Sequence, residues 1–303
     1  MVLRAAETFM ELTNRDFRLL ETIELGMRNH EYVPIDLICD LSGFGKSLVE
    51  RLLKELHQRK LIVKRLDEYV LLKGGYDTLA LRALVKQDIL DAIGDPIGIG
   101  KESDVYEGIA LGNRRVAIKF HRLGRPSFQQ TRRLRGYAGE RRHLSDLYEA
   151  RLAAEREYEA INVLYREKIR VPEPIGYNRH VVCMEFLEGD LLQIIKELPA
   201  PAEIFEEVME GYKRCVLECG IIHGDFSEYN IIIREDFTPF IIDWPQNVHS
   251  SHPNSKMLIL RDIKQITVFF TKLIGRLFGT NSPPATKITR VAKDCRHTLL
   301  ANI

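Results

Sequence analysis

Five short segments stand in a fixed order along the chain, and together they restrict its fold more than any bulk property does. The first is Gly98-Ile99-Gly100-Lys101-Glu102-Ser103-Asp104-Val105-Tyr106. Glycines let backbone approach a ligand closely, and N–H groups in such a turn can cradle phosphate. Standing alone, the segment would read as a simple β-turn. The second is Val116-Ala117-Ile118-Lys119, an apolar strand ending in a lysine. Its stem would be buried and its charge aimed into a cleft, where it can hold phosphates. Alone it would read as an edge-strand lysine in solvent. The third is a helix expected over 152–165, carrying Glu155, Glu157 and Glu159. A buried lysine needs an anionic partner to stay charged. Glu157 is the one expected to serve, with Glu155 and Glu159 facing solvent.

The fourth segment is Ile221-Ile222-His223-Gly224-Asp225-Phe226-Ser227-Glu228-Tyr229-Asn230-Ile231-Ile232-Ile233. Asp225 and Asn230 lie five apart, the spacing of the kinase catalytic loop H-R-D-x-x-x-x-N, with Gly in place of Arg. Asp225 would orient, or accept a proton from, an attacking group. Asn230 would ligate Mg²⁺. The fifth, Phe240-Ile241-Ile242-Asp243, ends an apolar strand on an aspartate that would hold the metal bridging β- and γ-phosphates. The glycine segment matches G-x-G-x-x-G-x-V with Ser103 for the third glycine and Val105 kept over the adenine. Each group alone is commonplace; the ordered set reads as a nucleotide site.

The first 90 residues follow other patterns. Thr13 or Asn14 can cap a helix with Phe17, Leu20, Ile23 and Met27 on one face. A second helix follows Pro34, with Ile35, Leu37, Ile38 and Leu41, and Ser42-Gly43 breaks it. A third runs from Lys46 to Arg59, with Leu48, Leu52, Leu53 and Leu56 inward. Leu61–Val63 and Tyr69–Leu72 read as two strands around a polar link, ended by Gly74-Gly75, before a helix over Asp77–Val85. This is a winged helix-turn-helix, with Lys46, Arg51 and Lys54 available to phosphates. Fourteen basic and fourteen acidic side chains cancel in residues 1–90, so a protein-binding role is as good a reading as a nucleic-acid one. Gly45-Lys46-Ser47 resembles the end of a Walker A loop, but that motif needs a glycine where Asp40 stands, and a preceding strand. The expected division is a winged-helix domain over 1–90 and an α+β bilobal domain over 91–303, its lobes meeting near 185.

The net charge of +1 hides one basic stretch: residues 114–142 hold ten Lys/Arg against Glu140 alone. A local anionic partner is expected there. Five scattered cysteines imply no disulfide framework. No apolar run approaches ~18 residues, and charges interrupt the N-terminus before a signal-peptide core can form. A cytoplasmic protein with no membrane association is expected.

The chain resembles the RIO family of atypical protein kinases, and within it the Rio-two branch. The likeness is carried by Gly98–Tyr106, VAIKFHRLGRPSF from Val116, Glu157-Tyr158, Met184-Glu185, HGDFSEYN from His223 and IIDWPQ from Ile241, with a winged helix ahead of them. The resemblance implies that Gly98, Gly100, Lys101, Ser103, Val105 and Lys119 surround ATP, with Glu157 as partner of Lys119. It implies Met184 at the gatekeeper position, adenine on the backbone of Glu185 and Leu187, Asp225 as catalytic aspartate, and Asn230 and Asp243 on Mg²⁺, with Mn²⁺ as an alternative. It implies that Asp262 steadies the catalytic loop, that Asp243 takes the phosphoryl group, and that the protein, expected to be a monomer, acts on the precursor of the small ribosomal subunit. The departures favour an ATPase-like switch over a peptide kinase. Trp244-Pro245 follows Asp243 where Phe-Gly is usual, no Ala-Pro-Glu follows, and only residues 244–261 separate Asp243 from Asp262. A serine kinase with exogenous targets, and an ATP-binding assembly factor without turnover, are the rival readings.

The basic segment 121–142, with Arg122, Arg125, Arg132, Arg133, Arg135, Arg141 and Arg142, is expected to meet ribosomal RNA phosphates. Cys215 and Cys219 are expected to pack in the core, His249 and His252 to face solvent, His223 to brace the catalytic loop, and Trp244 to pack.

Overall fold

The computed structural model describes residues 2–122, 146–280 and 282–303. Arg125 to Arg142 of the basic segment lie outside the described residues. By internal contacts the chain forms two compact units, Met1–Leu152 with Gly176–Cys183, and Ala153–Ile175 with Met184–Ile303.

The first unit opens with helix α1 (Val2–Glu11), which the charged N-terminus had not suggested, and α2 (Asn14–Gly26). Thr13 caps α2 through a reciprocal box: Asp16 N–H donates to Thr13 Oγ1, and Thr13 N–H donates to Asp16 Oδ2 at 2.8 Å. Strand β1 (Val33–Pro34) precedes α3 (Ile35–Ser42), which stops at Gly43 in a left-handed turn. Helix α4 (Lys46–Gln58) follows, its start preceded by a helix and not a strand, which disposes of a Walker A loop at Lys46. The wing is the hairpin β2 (Ile62–Arg65) and β3 (Glu68–Leu71), turned by Leu66-Asp67 alone, with β1 as a third strand on β3. Phe17, Leu20, Ile23, Ile38, Leu52, Leu53, Leu56 and Tyr69 are buried in one cluster.

The glycine pair after the wing differs from the sequence expectation. Gly74-Gly75 does not end the wing but lies in the first turn of α5 (Lys73–Lys86). A Cβ on Gly75 would fall inside the radius of Leu61 O, so glycine is there because the helix starts hard against β2. Gly75→Ala is expected to destabilise the fold by about 2 kcal/mol or more through this overlap; an unchanged denaturant midpoint would contradict the packing.

The same unit then carries β4 (Ala92–Ile99), β5 (Ser103–Ala110) and β6 (Arg114–His121), antiparallel neighbours in a five-stranded sheet. Helix α6 (Asp146–Arg166) comes next along the chain, longer than the pattern over 152–165 suggested. Strands β7 (Pro174–Asn178) and β8 (Val181–Glu185) complete the sheet order β4-β5-β6-β8-β7.

In the second unit β9 (Asp190–Leu191) precedes α7 (Pro201–Leu217). Strand β10 (Ile221–Ile222) leads into the polar loop, which a 3₁₀ turn over Glu228–Asn230 closes. Strands β11 (Ile231–Ile233) and β12 (Pro239–Ile241) pair antiparallel, Ile231 opposite Ile241. After Asp243 the chain returns at once to β13 (Val248–His249), which pairs with β10. Helices α8 (Ser255–Phe278) and α9 (Pro283–Ala301) pack against α7. No helix among the described residues is long and apolar enough to cross a membrane. All five cysteines are thiols; Cys215 is buried as expected, whereas Cys219 is only partly buried.

Candidate active site

Each unit builds its own part of the sequence-predicted site. In the first, the glycine segment is a tight hairpin: Gly98 pairs with Val105 and Ile99 with Asp104, and Gly100 N–H donates to Ser103 O at 2.8 Å. Gly98 and Lys101 are exposed, Ser103 and Val105 half-buried. Among the described residues no atom lies within 4 Å of a Cβ built on Gly98, so their packing does not require glycine there. An approaching phosphate needs that clearance. Lys119 is buried on β6, directly opposite Val105 on β5. Opposed residues in an antiparallel pair share a face, so Val105 and Lys119 project from the same side of the sheet.

The second unit holds the polar groups in a chain of short bonds. Asn230 Nδ2 donates to Asp225 O at 2.8 Å, which fixes the amide and assigns its Oδ1 as the acceptor end. Ile242 N–H donates to Asn230 O at 2.9 Å. His223 lies against the same residue, Nε2 at 3.0 Å from Ile242 O, while Asp225 N–H donates to His223 Nδ1 at 3.3 Å. The two bonds place the ring proton on Nε2 and make His223 a brace, as expected. Through Ile242 the catalytic loop is therefore stitched to the backbone one residue before Asp243.

Asp243 has φ 68°, a left-handed conformation that costs a non-glycine residue about 1–3 kcal/mol. It is imposed from both sides. Ile242 is bonded to Asn230 and His223, and Trp244 N–H donates to Glu157 Oε1 at 3.1 Å. Trp244 is fully buried, its ring 4.4 Å from that of His223. Within this unit Glu157, expected from sequence as the partner of Lys119, thus holds the residue after Asp243.

Beneath the loop, Asp262 is fully buried and accepts from Gly224 N–H at 2.8 Å, Phe226 N–H at 3.3 Å and Tyr212 Oη–H at 3.0 Å. Burial pushes its carboxyl up and the Tyr212 phenol well up. Gly224, where the kinase pattern has arginine, has φ 75°, and a Cβ there would lie 2.6 Å from Gln246 O. The loop passes too close to the segment after Asp243 for any side chain. Of the residues expected from the sequence to meet adenine, Met184 and Leu187 are buried. Glu185 N–H donates to Glu173 O at 2.9 Å, and its carboxylate accepts from Arg234 Nη2 at 2.6 Å.

At its start the basic segment does not face a partner as the sequence suggests. His121 and Arg122 are buried, and Arg122 is paired with two carboxylates, so neither is available to RNA. The pairing is between residues far apart in sequence; the one local sign was Asp77 amid the apolar residues of α5.

Residues 104–282 match the RIO domain family, and residues 9–87 match the Rio2 N-terminal family. The RIO-type serine/threonine-protein kinase Rio2 of Methanocaldococcus jannaschii is 40% identical over 251 residues, 81% of this chain and 92% of that one. The chain belongs to the Rio2 family of RIO kinases. The serine/threonine-protein kinase rio2 of Dictyostelium discoideum is 39% identical over 264 residues, and this chain spans only 50% of its length. Among solved structures, the Rio2 kinase of Chaetomium thermophilum, crystallised as an ADP/Mg²⁺-phosphoaspartate complex, aligns with a TM-score of 0.77 and 29% identity, covering 96% of this chain and 98% of that one. The Rio2 fold here is therefore a winged helix followed by a kinase-type α+β domain.

Proposed function

We propose that this Rio2 chain transfers the γ-phosphoryl group of Mg-ATP to Asp243 and then releases it to water, cycling as a switch during maturation of the small ribosomal subunit. The observation that carries the reading is Asp243, held in a left-handed backbone between Asn230 and Glu157. Strain of that kind persists only where the surroundings over-determine it, and it concentrates at functional residues. The phosphoaspartate in the Chaetomium relative's structure supports the same reading.

The donor set suits Mg²⁺, a hard cation that keeps waters and phosphate oxygens beside one or two protein ligands. Asn230 Oδ1 and the Asp243 carboxylate would hold it. When bound, the ion neutralises charge on the β- and γ-oxygens. The chain's own residues do the rest. The turn over Gly98–Ser103 cradles phosphate, Lys119 holds α- and β-phosphates, and the Glu185 carbonyl and Leu187 backbone orient adenine. An Asp243 oxygen forms a bond to the γ-phosphorus as the bond to the ADP oxygen breaks. Asp225 then orients a water whose attack frees phosphate and restores the carboxylate. The short return from Asp243 to β13 supports a switch over a peptide kinase. The ribosomal precursor, and RNA contacts through the basic segment beyond Arg122 or through the winged helix, are proposed on the family resemblance.

Single-turnover reaction with γ-labelled Mg-ATP, without added substrate, tests this. The protein is expected to take up label that hydroxylamine removes, and Asp243→Ala to take up none. A hydroxylamine-stable label would instead establish serine or threonine phosphorylation.

A further inference from the structure

Inside the first unit lies an ion cluster that the nucleotide chemistry does not use. Asp77, in α5 of the winged-helix region, is fully buried. Its Oδ1 accepts from Arg122 Nη1 at 2.7 Å and its Oδ2 from Arg122 Nη2 at 3.0 Å. Arg122 Nε donates to Asp104 Oδ2 at 2.7 Å. His180 Nε2 lies 2.7 Å from Asp77 Oδ1, and its ring stacks on Tyr76 at 4.8 Å. Although burial opposes ionisation, the bonds from His180 and Arg122 hold the Asp77 carboxyl below its ordinary range.

Stability alone does not account for such a cluster. Apolar residues of similar volume often stabilise a core as well as buried ions do, or better. A bidentate guanidinium–carboxylate pair contributes direction. Here the direction is toward the phosphate turn. Arg122 comes three residues after Lys119, and its backbone N–H donates to Glu102 O at 2.7 Å, between Gly100 and Ser103. Asp104, gripped by the same guanidinium, is the residue after Ser103. Backbone and side chain of Arg122 thus hold the turn at two points, and Asp77 holds Arg122.

We propose that Asp77 is a positioning residue for nucleotide binding: through Arg122, helix α5 of the winged helix sets the geometry of the Gly98–Ser103 turn. The inference rests on the reading that this turn cradles phosphate. Linkage makes the coupling reciprocal, so nucleotide on the turn tightens the seat of α5.

The test uses the full chain as wild type, Asp77→Asn and Arg122→Lys. Asparagine keeps the shape but loses the charge; lysine keeps the charge but cannot fork between Asp77 and Asp104. Mg-ADP affinity is measured by calorimetry, ATP turnover by KM and kcat, and folding by circular dichroism and melting. Both variants are expected to fold, with the Mg-ADP Kd and the ATP KM raised about tenfold and kcat within about twofold. Lower melting temperatures with wild-type Kd and KM would overturn the proposal, leaving a purely structural cluster, as would failure of both variants to fold. A wild-type protein that does not bind Mg-ADP would remove the phosphate-turn reading itself, an outcome distinct from variants that match a binding wild type.

Discussion

Asp225→Ala is expected to lower ATP turnover by about 10²–10⁴-fold, the range for losing a positioned acid–base group, with Mg-ADP affinity within about twofold of wild type. The separation follows from how the loop is built. Asp225 supports its neighbours through its backbone: its carbonyl accepts from Asn230 Nδ2 and its N–H donates to His223 Nδ1. Alanine retains both bonds, so Asn230, Ile242 and Asp243 keep their places and only the half-buried carboxylate is lost. Single-turnover rates and calorimetry on the same preparation check this. Lost affinity and lost turnover together would make Asp225 a binding group, and unchanged turnover would remove it from the chemistry. If the variant still supports ribosome maturation in cells, the binding-only role gains.

The largest expected loss of stability is at Asp262. In Asp262→Ala three buried donors, Gly224 N–H, Phe226 N–H and Tyr212 Oη–H, lose their acceptor. Each unsatisfied buried group costs about 1–3 kcal/mol. Partial relaxation brings the expected total to about 3–5 kcal/mol, within the range for breaking a buried polar network. Asp262→Asn, which keeps one carbonyl oxygen, should lose less, and Tyr212→Phe less again. Urea unfolding of the three variants reads the order directly. An alanine variant with the wild-type midpoint would show that the loop is held by other means. Because Gly224 and Phe226 flank Asp225, the alanine variant should also lose turnover under conditions where it remains folded.

The winged helix was legible because its signals are local. The Thr13 cap, the break at Gly43 and the apolar faces of α2 and α4 need only periodicity and chain punctuation, and they lie where the pattern placed them, except that Val49 is buried on α4 where Leu48, only partly buried, was expected. The role of Gly74-Gly75 is not legible for a complementary reason. A glycine pair looks the same whether it ends a strand or lets a helix start against one, and only the position of Leu61 decides between them. Glycine at 224 was visible as a departure from the arginine of the kinase pattern. Its cause, the approach of Gln246 O, was not.

The roles proposed for Lys119, Asp225, Asn230 and Asp243 rest on residue type and spacing, because phosphate and metal chemistry admits few side chains and the chain order is that of a kinase fold. The sequence carried the family and the two kinds of domain, and it named the residues expected to meet nucleotide. Tertiary structure alone decided what holds those residues. It drew Arg122 out of a basic stretch into the core beside Asp77 and Asp104, set Glu157 on the amide after Asp243, and placed that aspartate in a left-handed backbone. Charge in a sequence carries no address. A guanidinium that counts as one of ten in residues 114–142 becomes a buried anchor when two carboxylates from other parts of the chain meet it away from water.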